Sequence, residues 1–471
     1  MSIQAQEEDE ELIVCPVVTN LDFSTTIEIE DPNVAREWNE LSGLAVSPTQ
    51  ASPSGHSILW GHNDGRDRGD FGTNLAAWDP VTGKRLMTFQ LEFNVTSNPP
   101  VYNQDWEDMT IGSCGNTGPS ETCLYIADTG DNRASTVVGA TTRPEDRPYR
   151  LYKIREPVWS DYIQTKATNL NLHVKLDTNK FVTSLTLDYS HPTSPSDTVN
   201  SEAIFLDHVG WGNGAQVGDL YIVAKSRVNA GVYHVPASAW PTGNNKEAHY
   251  SPSRVKGDYE EGAIAKYMFT SADMSLDGTK IILGTIYKNY MFLRCPGQAI
   301  GESIIGTEAC LEWTNPEEAA GKNNQFESVA WYTDQSTVLN IAEALDVTPK
   351  LVHVSLSYND PNPPDYCPSV MYTVSFNDQV VCQTVPNDYS TEPFIPEIMP
   401  DSWCEASMAY YGTTHPTSAP STASPTSKPS VSLSPTSDND DAASSSNRAT
   451  AMTAMRSAFL LLLCQISFFF N

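Results

Sequence analysis

The dominant pattern along this chain is short apolar–polar alternation, in runs of five to nine residues broken by turn residues. Alternation at period two predicts half-buried β-strands, and no long stretch carries the 3.6-residue apolar period of an amphipathic helix. Five segments share one design, a polar start followed by an alternating apolar strand. They are WNELSGLAVS from Trp38, QDWEDMTIG from Gln104, VNSEAIFLD from Val199, FTSADMSLDG from Phe269 and NQFESVAW from Asn324.

A second β-type run follows each: HSILWGHND, CLYIADTGDN, DLYIVAKSR, KIILGTIYKN and STVLNIAEA. Third runs such as NLAAWDPVTGKRLMTF, RLYKIRE, GVYHVP and KLVHVSL come next, and DPVTGK has the composition of a hairpin turn. Measured at Ser42, Glu107, Glu202, Ala272 and Glu327, successive copies lie about 55 to 95 residues apart. Several short strands per repeat at that spacing predict the blades of an all-β propeller, each blade burying its faces against the next. Six blades are expected, with five as the alternative. The sixth would combine FSTTIEIE (Phe23 to Glu30) with VMYTVSF and QVVCQTV near the C-terminal end.

The segments SGLAVS, DWEDMTIG, LYIADTGDN, SEAIF and SADMSLDGTKIIL resemble an uncharacterised family of secreted six-bladed propellers, over about Asn39 to Glu343. In fold that family is similar to the strictosidine-synthase, gluconolactonase and phytase-like propellers. The resemblance implies a propeller fold and, from those more distant relations, calcium at a channel mouth and hydrolysis of lactones or phosphate esters. No catalytic residue of theirs maps onto this sequence. H-E-x-x-H, G-x-S-x-G, Walker-type and dinucleotide-binding motifs are all missing from it.

Composition sharpens the picture in two places. With 58 acidic against 28 basic residues the formal charge is −30, which repels a phosphate backbone and excludes nucleic acid as partner. The same acidity suits divalent cations. Of nine cysteines, Cys464 falls in the apolar tail. The other eight pair by sequence as Cys114 with Cys123, Cys295 with Cys310, Cys367 with Cys382, and Cys15 with Cys404, although spacing alone fixes no connectivity. Loop-spaced cysteines and the sequon Asn94-Val95-Thr96 point to an oxidising, extracellular compartment.

The domain plan follows. Residues 1–14 form an acidic, disordered start and 15–404 the propeller. Residues 405–457 are a Ser/Thr/Pro-rich stalk and spacer, and 458–471 an apolar tail. Small residues at 442–446, a polar spacer and the tail AFLLLLCQISFFF have the order of a glycolipid-anchor signal, so a membrane is the expected partner at this end. A spanning or tail-anchoring helix is the other reading. The first residues, MSIQAQEEDEELIV, are not a signal peptide, so the outward-pointing features imply a leader upstream of this start.

Chemistry is expected where the starts of inner strands and the ends of second strands share a rim. Alternation places Asp105 with Glu107, Asn200 with Glu202, and Gln325 with Glu327 on common faces. Glu107, Glu202 and Glu327, with Asp105 and Asn200, are candidate calcium donors. Glu107 is also a candidate acid or base, as is His62, whose ordinary pKa lies near neutrality. Lys225, Arg227 and Lys288 are candidate anion holders, and Asp128, Asp131 and Asn132 complete the ligand-binding set. The same residues could simply cap strands and turns. Two functions are therefore carried forward. One is a surface-held binding module for a small molecule, glycan or protein, and the other a calcium-dependent hydrolase of lactones or phosphate esters.

Overall fold

The computed structural model describes residues 15–28, 38, 40–64, 72–91, 101–115, 121–130, 148–163, 173–189, 200–212, 214–225, 231–243, 245–260, 262–320, 325–343 and 350–357, and the backbone of 371–376 and 379–384. The alternating runs form strands, and each of the five repeats becomes one antiparallel sheet.

Blade 1 orders β2 (Leu41–Ala51), β3 (Ser57–Asn63), β4 (Asn74–Trp78) and β5 (Arg85–Leu91) outward from the axis. Blade 2 follows with β6 (Trp106–Ser113), β7 (Thr122–Asp128), β8 (Tyr149–Arg155) and β10 (Val182–Leu187). Blade 3 has β11 (Ser201–Leu206), β12 (Leu220–Ala224), β13 (Val232–Val235) and β15 (Ser253–Arg254). Blade 4 has β16 (Ser271–Met274), β17 (Lys280–Gly284), β18 (Lys288–Leu293) and β19 (Leu311–Thr314). Blade 5 has β20 (Gln325–Trp331), β21 (Thr337–Glu343), β22 (Val352–Ser357) and, outermost, the N-terminal β1 (Val17–Asp22).

Five apolar clusters fill the five gaps between consecutive sheets. Trp60 and Phe89 of blade 1 meet Met109 and Ile126 of blade 2. Tyr125 and Leu151 of blade 2 meet Ile204 and Ile222 of blade 3. Phe205 and Val223 of blade 3 meet Met274 and Ile281 of blade 4. Ile282 and Met291 of blade 4 meet Val329 and Val338 of blade 5. Leu339 and Ile341 of blade 5 return to Leu44 and Trp78 of blade 1, which closes the ring. Inner strands pack on both faces, so they are buried nearly throughout rather than on alternate residues.

The expected sixth blade is corrected to five. Val17–Asp22 pairs antiparallel with β22 as the last strand of blade 5, and Thr26 bridges to Lys350. The runs assigned to the closing blade instead pair with each other as β23 (Met371–Phe376) and β24 (Gln379–Thr384). The physical reason is edge coverage: an exposed sheet edge takes up a strand, and blade 5 had one to offer. Two more edges are covered by exchange. β9 (Val174–Leu176), which follows β8 in the chain, adds in parallel to β5 of blade 1, and β14 (Glu247–Tyr250), which follows β13, adds in parallel to β10 of blade 2.

Two disulfides are described. Cys114–Cys123 is as the sequence indicates, closing the hairpin between β6 and β7 with Cα atoms 5.0 Å apart. Cys15 pairs with Cys310, not Cys404, with Cα atoms 5.6 Å apart. The pairing of Cys295 with Cys310 is corrected by the same bond, and Cys295 is itself disulfide-bonded. Sequence proximity misleads here because Cys15 begins the outer strand of blade 5 and Cys310 precedes the outer strand of blade 4, so the bond staples adjacent blade edges. Cys367, Cys382, Cys404, the sequon, the stalk and the apolar tail lie outside the residues whose side chains are described. Among the described residues no helix is long and apolar enough to cross a membrane.

Candidate functional site

Four of the five inner strands carry an irregularity at the same place. Pairing skips Ser42 between Leu41 and Gly43, Glu202 between Ser201 and Ala203, and Glu327 between Phe326 and Ser328. In β6 it skips from Trp106 to Met109, over Glu107 and Asp108. An extra residue in one strand kinks it and re-aims the unpaired side chain. The repeat of this bulge brings the glutamates of blades 2, 3 and 5 together. Blade 4 has regular pairing from Ser271 onward and supplies no carboxylate at that level.

The three glutamates are buried, at 3%, 1% and 7% exposure for Glu107, Glu202 and Glu327. Burial pushes the Glu107 carboxyl well above the usual carboxylate range, and Glu202, Asp64, Asp105 and Glu327 add like-charge repulsion. Glu327 is likewise raised, by burial and then by Glu343 and Glu202. Glu343, at the end of β21, is pushed up to about 7 by burial, Asp64 and Glu40. It shares a hydrogen bond with Glu327 and accepts one from Gln325 Nε2 at 3.3 Å.

Among the described residues an ammonium stands with these carboxylates. Lys225, just past β12, is ion-paired with Glu202. Burial works against its charge, but Glu202, Glu327 and Glu107 outweigh burial and raise its pKa. Asn200 Nδ2 donates to the other oxygen of Glu202 at 3.2 Å. On the far side, Gly130 lies so close to the Glu107 carboxylate that a Cβ there would overlap Oε1. Glu107 Oε1 is buried and has no hydrogen-bond partner among the described residues. Asp128 accepts the Asp105 N–H at 3.1 Å and holds the strand entering this corner.

Directly beneath, two further carboxylates close the axis. Asp108 Oδ2 accepts the N–H groups of Ile204 and Ala272, both at 2.9 Å, and Oδ1 accepts that of Met109 at 2.9 Å. Asp273 Oδ2 accepts the Trp331 N–H at 2.8 Å, and Oδ1 accepts the Thr110 hydroxyl at 3.2 Å. Together they tie the inner strands of blades 2, 3, 4 and 5 across the centre. The arrangement, called the cup below, thus sets an acidic wall beside a hydrogen-bonded floor that links the inner strands.

The remaining sequence candidates fall elsewhere or lie outside the described residues. His62 is fully buried, edge-on to Trp106 at 5.3 Å between ring centroids, over the bare Cα of Gly43. Its Nδ1 donates to the Asn63 carbonyl at 3.2 Å. Burial lowers its pKa to about 4, so near neutrality it is an uncharged packing group and holds no exchangeable extra proton. The Lys288 ammonium binds Glu312 on the outer strand at 3.0 Å. Lys225 is likewise committed to a carboxylate rather than offered to an anion. Arg227, Asp131 and Asn132 lie outside the described residues.

The carboxylate oxygens are of the type calcium takes, but among the described residues no three His, Cys, Asp or Glu side chains are disposed to hold one ion, and Lys225 already sits on Glu202. Sequence reasoning missed the floor. Asp108 and Asp273 read as ordinary residues next to the interesting ones, and only the bulge in DWED shows that Glu107 and its neighbour are both unpaired.

No family model and no curated protein matches the chain. Among solved structures it is similar to one described as the structure of U3-55K, at 10% identity and a TM-score of 0.26, covering 67% of each chain. It is also similar to a humanized mutant of the Chaetomium thermophilum Polycomb Repressive Complex 2 bound to the inhibitor GSK343, at 9% identity and a TM-score of 0.28. That match covers 69% of this chain and 52% of the other, so this chain spans about half of it.

Proposed function

We propose that this protein is a binding module whose ligand seats in the acidic cup and carries positive charge. One observation supports this most: Glu107, re-aimed by its bulge, keeps a buried carboxylate oxygen that no described group satisfies. A buried polar atom without a partner costs roughly 1–3 kcal/mol, and a ligand that supplies the partner recovers it. Glu202 and Glu327 extend the same acidic wall. Calcium held by Glu107, Glu202, Glu327, Asp105 and Asn200 is the inorganic form of this reading.

A hydrolase is the second reading, and Glu343 favours it. Its carboxyl titrates at about 7 beside Glu327, which suits proton transfer near neutrality. The resemblance to secreted propellers agrees with either function. A cell-surface setting, with the tail at 458–471 holding the chain to a membrane, is part of the proposal. The Cys15–Cys310 and Cys114–Cys123 bonds support its oxidising compartment.

The test is thermal stability of the full chain with and without chelator, then with a panel of cations, alongside turnover of esters, lactones and phosphate esters. Stabilisation by a cation that Glu107→Gln abolishes, without turnover, is the expected result. Turnover lost in Glu343→Gln replaces the binding module with the hydrolase.

A further inference from the structure

Resting on the reading of the cup as a cation site, we propose that its ligand is an organic cation bearing N–H groups, an ammonium or guanidinium head, rather than a bare metal ion. The molecule carries its own example of such a head. Lys225 brings an ammonium into the cup, ion-pairs with Glu202, and feels the charges of Glu327 and Glu107. It serves the blade 3 side and leaves the blade 2 side with Glu107 Oε1, a buried acceptor without a donor among the described residues. An N–H group completes such an acceptor directly, and charge-assisted hydrogen bonds to carboxylates are the strong ones. A metal ion needs several oxygens converging on one point, and the described carboxylates are not so disposed.

Two neighbouring features fit a head of this kind. Gly130 packs its backbone against the Glu107 carboxylate, and any side chain there would collide with Oε1, so this corner is shaped by the glycine. The turn from β17 to β18 reaches the same rim, because the Ile286 carbonyl accepts the Phe326 N–H next to Glu327 at 3.1 Å. Tyr287 follows in that turn, 55% exposed, and offers an aromatic face of the type that attracts organic cations.

Glu107 faces Glu202, Asp64, Asp105 and Glu327; Glu327 faces Glu343, Glu202 and Lys225; Glu343 faces Asp64 and Glu40. This gathering of like charges favours a cationic head over a neutral or anionic one.

The experiment is isothermal titration of the full chain with n-butylammonium, n-butylguanidinium, tetramethylammonium and calcium chloride. Each is run at pH 7. The butyl cations are expected to bind. Tetramethylammonium, which has no N–H, is expected to bind at least ~10-fold more weakly. Glu107→Gln is expected to lose roughly tenfold or more, and Lys225→Met to gain about as much by removing the resident competitor. Calcium or tetramethylammonium binding as tightly as the butyl cations, with the same Glu107→Gln sensitivity, overturns the N–H assignment and leaves the cup as the site. No cation binding to wild type or to Lys225→Met overturns both.

Discussion

Glu107 and Asp108 are adjacent in the sequence, both acidic and both buried, yet they live under opposite rules. Asp108 spends its carboxylate on three backbone N–H groups from three blades. Glu107 meets four other carboxylates and leaves one oxygen without a partner among the described residues. The floor of the cup is a satisfied network, whereas its wall keeps Glu107 Oε1 without a partner among the described residues. A satisfied buried network specifies a fold, whereas an unsatisfied one costs stability and is poised for a partner. The difference teaches that acidity and burial, which the two share, do not separate a structural carboxylate from a candidate ligand-binding one; what remains unpaired does.

The most severe way to break this comparison is Asp108→Ala. Three N–H groups would lose their acceptor, and unfolding by urea should show a loss of about 4 kcal/mol. A loss near zero would mean the axis is held by packing alone.

A smaller effect is expected from pH. Burial raises Asp273 and Glu343 to about 7 and holds Glu107, Glu327 and Asp108 well above the usual carboxylate range. For a carboxyl raised in the folded state, the stabilisation is complete below its unfolded pKa and is lost as pH climbs through the folded value. Stability should therefore fall from pH 5 to pH 8, on the order of a few kcal/mol in total. Thermal unfolding across that range checks the sign. Glu343→Gln should flatten the wall's share and Asp273→Asn the floor's.

Gly130→Ala sharpens the comparison from the side of shape. A Cβ would enter the space of the Glu107 carboxylate, so cation binding should drop while stability changes by only about 1–2 kcal/mol. The smallest stability effect belongs to Glu107→Gln. It removes one titrating carboxyl from a crowded wall and should leave stability unchanged or raise it by about 1 kcal/mol, in contrast with Asp108→Ala next door. A large loss from Glu107→Gln would place it with the floor.

Much of the fold was legible in the residues. Period-two alternation gave the strands, and the recurring segments at Ser42, Glu107, Glu202, Ala272 and Glu327 became the five inner strands in order. Two matters were not legible. Which edge accepts Val17–Asp22 is decided by pairing between residues more than 330 apart, which no local pattern encodes. The partner of Cys15 depends on that same closure. In the cup, strict alternation correctly linked Asn200 with Glu202, but it contains no bulges and so could not show that Asp108 also points to the axis. His62 and Lys288 looked reactive by residue type. Burial of one and the Glu312 partner of the other set their behaviour, and both depend on tertiary neighbours.

The central claim is that one electrostatic environment encloses glutamates drawn from three blades. Carbon-13 NMR of the glutamate carboxyls, titrated from pH 3 to 9 and assigned by single Glu→Gln variants, tests it most directly. The expected result is that Glu107 and Glu327 titrate well above free glutamate, and that Lys225→Met or removal of either one shifts the other. Independent titrations near the free value, unmoved by each other's removal, would contradict it.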